Sequence, residues 1–215
     1  TVSLAAAINH QRKPVWLIVG ALEQPACVDF PFRYPSPDQL RACVYTGIIH
    51  GATGITYFIW DSYVSRAGGV FGMSSSPKLK YDQKEKDEAS PMQMVHAKAL
   101  WDATVQINQE LNDLTPAILS PTAGNDFKYT VHIEGKAPTE SPIRCLLKKH
   151  PDGGYVLLSV NMDDAVLNVT YTMPSPMRSV AVLYENRPPE TPNNAAKTIT
   201  LKYEPFSVHV IRIKM

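Results

Sequence analysis

The sequence has little of what marks several large protein classes. Only three of its 215 residues are cysteine, Cys27, Cys43 and Cys145. They are an odd number at unrelated spacings, which fits neither a disulfide framework nor a zinc site. The six histidines show no metal-ligand spacing either, so no metal or cofactor is expected. No apolar run reaches the roughly 18 residues that a membrane-spanning helix needs, so no membrane partner is expected. Charge of one sign is missing too. Lys and Arg number 21 against 20 Asp and Glu, a formal net charge of +1, and no basic stripe offers itself to nucleic acid. There is no initiator Met. In TVSLAAAINHQRKPVW the basic residues follow the apolar stretch, the reverse of a signal peptide. Residues 1–10 read as a helix already under way, so a preceding segment is expected.

What is present is enough for a packed core: 44% hydrophobic against 19% charged residues. Val15 to Leu22 (VWLIVGAL) is a short, almost wholly apolar run, the pattern of a strand buried on both faces of a parallel sheet. A Pro-rich loop leads to Ser36-Pro37-Asp38-Gln39, an N-cap, a first-turn proline and a capping-box partner. Leu40, Cys43, Val44, Gly47, Ile48 and Gly51 follow at helical spacing, with the two glycines permitting close approach to a sheet. Gly54 is the expected stop. Ile55 to Trp60 (ITYFIW) reads as a second buried strand, which completes a βαβ unit.

Asp61 to Ala89 is a long polar segment with a glycine pair, a serine run and mixed charges, and part of residues 64–88 is expected to be mobile without ligand and to cover a cleft. The helix-start signal returns at Ser90-Pro91-Met92-Gln93. A stripe through Ala97, Leu100, Ala103, Ile107, Leu111 and Leu114 should end before Pro116. The texture changes near residues 120–126, dividing the chain into 1–123 and 124–215. Beyond it, seven short runs read as strands: Tyr129–Ile133, Ile143–Lys148, Tyr155–Val160, Val166–Tyr171, Val180–Leu183, Thr198–Leu201 and Val208–Ile213. Asp152-Gly153-Gly154 marks a hairpin. The composite is α/β followed by a small antiparallel β-sandwich. One Asn-X-Thr sequon, Asn168-Val-Thr170, lies in the second part.

The order KPVWLIVGAL, SPDQLRACVYTGIIHGATGITYFIWDSY, LWDATVQINQELNDLTPAILSP resembles the end of the barrel in glycoside hydrolases of the large retaining clan. In that clan a (β/α)8 barrel has an eighth strand ending in Trp, a last helix leading to an L-x-P-x-L segment and, often, a C-terminal β-sandwich. The resemblance implies that residues 1–123 are the last β/α units of a TIM-type barrel. It implies an oligosaccharide or polysaccharide as partner, and the N-terminal barrel portion, as another chain or an upstream segment. A closed barrel takes about 250 residues, so two lone parallel strands should not fold as an open monomer. The full-length protein is expected to be secreted or periplasmic.

The same resemblance places the candidate site. Trp60 stands where a ring can stack on the C–H face of a sugar, with Tyr63 beside it as a second binding residue. Hydrolysis in the clan needs two carboxylates, and its nucleophile occurs in a pattern like KPVxxxEfG. Aligned from Lys13-Pro14, Val19 stands where that Glu should be, with Gly20 next. The nearest carboxylates are Glu23, a few residues late, and Asp61, at the end of the next strand. The acid/base strand is not in this chain. Two readings stay open: a glycoside hydrolase to which this chain supplies one cleft wall, and a non-catalytic carbohydrate-binding or scaffold protein derived from one.

Overall fold

The computed structural model describes residues 1–10, 12–24, 31–65, 68–74, 90–123, 130–135, 141–185 and 196–215, with side chains left out at 63–65 and 68. The chain divides into two compact units, Thr1–Asn108 and Gln109–Met215.

The first unit holds helix α1 (Val2–Ile8), strand β1 (Trp16–Gly20), helix α2 (Pro37–Ile49), strand β2 (Gly54–Phe58), a small hairpin of β3 (Tyr63–Ser65) and β4 (Gly68–Val70), and the start of helix α3 (Pro91–Ile118). Strands β1 and β2 pair in parallel, Trp16 opposite Gly54 through Gly20 opposite Phe58, with α2 as the crossover. The expected capping box closes α2: Gln39 N–H donates to Ser36 Oγ at 3.1 Å, and Ser36 N–H to Gln39 Oε1 at 2.9 Å. Gly47 answers the expected close approach, since a Cβ there would lie 2.3 Å from Leu17 Cδ2.

Three expectations are corrected in this part of the chain. The helix stops earlier than Gly54: His50 is the C-cap and Gly51 takes φ 99°, the left-handed step that glycine makes at least cost. Gly54 instead opens β2, under the Trp16 ring. Cys43 is exposed. The buried arc of α2 runs through Gly47, Leu40, Val44, Ile48, Tyr45 and Ala42, and Cys43 falls just beyond its edge. Helix α3 continues past Pro116 to Ile118. A proline in the last turn forfeits one backbone bond, and Thr115 Oγ1 and Ser120 Oγ donate to the nearby carbonyls of Leu111 and Pro116. As expected for two parallel strands without the rest of a barrel, the described residues cover the β1–β2 pair on one face only. Leu17, Val19, Ile55 and Tyr57 are buried or half-buried, whereas Trp16, Ile18 and Phe58 stand 66%, 67% and 45% exposed.

The second unit is all antiparallel beyond α3. A four-stranded sheet runs β6–β7–β11–β9 and a three-stranded sheet β10–β8–β5, with β5 Thr130–Ile133, β6 Ile143–Lys149, β7 Tyr155–Asn161, β8 Leu167–Thr172, β9 Ser179–Leu183, β10 Thr198–Tyr203 and β11 Val208–Lys214. All seven expected runs form strands. Alternation on β8 and β10 buries Leu167, Val169, Tyr171, Ile199, Leu201 and Tyr203 against Leu147, Leu157, Ile211 and Ile213 of the larger sheet, one shared core. That is a β-sandwich. The Gly153-Gly154 hairpin needs both glycines at positive φ, 85° and 72°. A hydroxyl chain crosses the core, Ser159 Oγ to Tyr171 OH at 2.6 Å and on to Tyr203 OH at 2.7 Å.

Candidate functional site

The parallel pair continues for one bond beyond its strands: Ala21 N–H donates to Phe58 O at 2.5 Å. Past that point the two chains carry Glu23 and Trp60-Asp61, so all three lie at the C-terminal edge of the pair. Parallel α/β folds gather their functional groups at this edge, because the loops following the strands meet there.

A short strap, residues 71–74, ties the two chains together. Glu23 and Phe71 exchange both backbone bonds at 2.8 Å, while Met73 N–H donates to Ile59 O at 3.0 Å and Ser74 N–H to Trp60 O at 2.7 Å. Gly72 sits at its centre. Its N–H donates to the buried Ser62 Oγ at 2.9 Å and its carbonyl accepts from Tyr34 OH at 2.8 Å. Only glycine fits, since a Cβ would lie 2.5 Å from the carbonyl oxygens of both Ile59 and Asp61. Val70, Phe71 and Met73 are buried. This stretch of the long polar segment is core, because apolar side chains at 70, 71 and 73 have something to bury. Residues 75–89, over which most of the expected mobile part falls, lie outside the described residues.

Trp60 is 47% exposed and its ring meets that of Trp101, 42% exposed, edge to face at 4.7 Å and 64°. Two indoles at this angle form a two-walled aromatic corner. Trp101 was legible only as a residue beside the α3 stripe, since nothing in sequence spacing shows that the eleventh residue of α3 meets the end of β2. Tyr63 lies in β3, and its side chain is outside the described atoms. Asp61 and Glu23 are both half-buried.

The surroundings of Glu23 are specific. Gln93 Nε2 donates to its Oε1 at 3.5 Å. Burial pushes the Tyr34 hydroxyl well above its ordinary value, and the nearby Glu23 charge adds to that. Tyr57 is pushed up to about 12 by burial, and its OH donates to Asn108 Oδ1 at 3.2 Å. Val19, which stands where the resemblance implies a carboxylate, is 5% exposed on the covered face of β1. A carboxylate there would point away from the open face. Beyond the ends of the two strands the chain thus carries Trp60, which meets Trp101, and the carboxylates Asp61 and Glu23.

No protein-family profile matches this chain, and no curated protein does. Among solved structures it is similar to a Bacteroides fragilis protein assigned as an alpha-galactosidase, at 10% identity and TM-score 0.43, covering 89% of this chain and 32% of that one. It is also similar to a GH27 β-L-arabinopyranosidase from Geobacillus stearothermophilus. The arabinose complex of a variant gives 10% identity and TM-score 0.41, and the wild type 10% and 0.39, each covering 86% of this chain and 32% of the other. The chain spans about a third of the length of these glycoside hydrolases.

Proposed function

We propose that this chain is the C-terminal part of a (β/α)8-barrel glycoside hydrolase and supplies one wall of its sugar cleft. The observation that carries the reading is the β1–β2 pair. Its C-terminal edge holds Trp60, Asp61 and Glu23, and its uncovered face is apolar, as the interior face of a barrel strand is. The occupant of that face is the N-terminal barrel portion, as an upstream segment or a second chain. The substrate is an oligosaccharide or polysaccharide in a secreted or periplasmic setting.

The aromatic corner of Trp60 and Trp101 takes the C–H face of a pyranose ring. Glu23 acts as nucleophile or base toward the anomeric carbon, and the acid that protonates the leaving oxygen comes from an earlier barrel strand. Asp61 is the second carboxylate of this chain at the same edge, and Tyr63 a further sugar contact. The alternative, a carbohydrate-binding protein without catalysis, is favoured by one observation, the buried Val19 at the position of the clan's nucleophile.

The deciding experiment is hydrolysis of a panel of aryl glycosides by the chain together with its barrel portion. Loss of turnover by about 10²–10⁴-fold in Glu23→Gln, with oligosaccharide binding retained, supports the enzyme. Unchanged turnover in Glu23→Gln removes Glu23 from the chemistry. Absence of any turnover, with binding lost in Trp60→Ala, supports the binding protein.

A further inference from the structure

We propose that Gln93, the capping glutamine of α3, is a positioning residue that aims the carboxylate of Glu23. The inference rests on the sugar-cleft reading for its purpose, but its geometry stands apart from it.

Both arms of the Gln93 amide are committed. Ser90 N–H donates to Gln93 Oε1 at 2.9 Å, and Gln93 N–H donates to Ser90 Oγ at 3.2 Å, the reciprocal bonds of a capping box. A backbone N–H can only meet the oxygen of an amide, so the flip state is decided by the cap. Nε2 is therefore the arm turned to Glu23 Oε1, at 3.5 Å. The contact is long for an N–H···O bond. Its effect is chiefly on direction, since the donor faces an anion and cannot turn away without breaking the cap. The first turn of α3 adds the positive end of a helix dipole.

Among the described residues, Tyr34, from the loop before α2, also lies close enough to Glu23 to feel its charge. Its single proton is already donated to Gly72 O, so it has none to offer the carboxylate. The backbone of Glu23 is fixed by its two bonds to Phe71. Glutamate and glutamine both close a capping box at this position, but only glutamine presents a donor on its second arm. The pairing with Glu23 gives a physical reason for glutamine at residue 93.

The test is the side-chain amide signal of Gln93 in proton–nitrogen NMR spectra of the chain assembled with its barrel portion. On acidification through the carboxylate range the signal should move, and in Glu23→Gln that movement should vanish. A signal that ignores pH, or one that still moves in Glu23→Gln, overturns the proposal. A second measurement covers the case of a misfolded Glu23→Gln. Gln93→Glu keeps the capping box but sets two carboxylates face to face, so its melting temperature should fall by a few degrees near pH 7, with the deficit gone near pH 3. Gln39→Glu makes the same change in the box of α2 and serves as the control; equal behaviour of the two variants overturns the proposal. Neither readout involves sugar hydrolysis, so failure here and failure of the glycosidase reading are separately visible.

Discussion

On strand β1, Trp16 and Ile18 are 66% and 67% open to solvent, while on β11 Ile211 and Ile213 are at 0%. Both strands are short and rich in branched apolar residues, although β11 also carries His209, Arg212 and Lys214. The difference lies in what faces them. The antiparallel sheets of the second unit supply each other's cover, so alternating strands close a core within one stretch of chain. The parallel pair has helices on one side only, and parallel strands need both faces covered. Each large apolar side chain left in water forgoes about 1.5–3 kcal/mol. The sandwich is self-sufficient in this sense and the parallel pair is not.

Mutations can break this comparison, and the largest effect belongs to the sandwich. Leu157→Ala should cost about 3 kcal/mol or more, because the site is sealed on all sides and a cavity remains; urea unfolding followed by a probe placed in the sandwich measures it. A cost below about 1 kcal/mol would mean that the shared core is loosely packed.

Alkaline pH tests the same core. Burial raises the pKa of Tyr171 well above its ordinary value of 10, and that of Tyr203 as well. A group raised in the folded state gives its full stability below the unfolded value and loses it as pH rises past that point. Above pH 10 each should therefore cost up to about 1.4 kcal/mol per pH unit. Ultraviolet titration should show both ionising only as the sandwich unfolds, and free titration of either near pH 10 would contradict the buried hydroxyl chain.

At the site, Gly72→Ala should destabilise the strap by about 1–3 kcal/mol, since its Cβ meets carbonyl oxygens that cannot give way easily. Hydrogen exchange at Glu23 and Phe71 should quicken in that variant, and unchanged protection would show that the strap tolerates a side chain. The smallest expected effect is on the open face. Ile18→Thr should change the stability of the sandwich by under about 0.5 kcal/mol. The same substitution should weaken assembly with the barrel portion, as read by sedimentation. Assembly of unchanged strength would mean that the face does not carry the contact.

The capping boxes at Ser36 and Ser90, the parallel pairing of the two apolar runs, the seven later strands and the Gly153-Gly154 hairpin were all determined by the sequence itself. They depend on neighbours within a few residues, on side-chain period and on turn chemistry. Glu23, Trp60 and Asp61 were named through the family resemblance; what the apolar runs add is that each follows a strand end, where parallel sheets gather chemistry. Only the tertiary structure decided the rest. The meeting of Trp60 with Trp101, the strap that holds Glu23 to Phe71, and the double commitment of Gln93 join residues roughly 40 to 70 positions apart. Such contacts follow from how whole elements pack, and no local spacing encodes them. That one face of the lone pair would stay open was expected, but which face it is was decided in the same way. An apolar run states that a strand must be covered, and only the placement of its neighbours decides which face they cover.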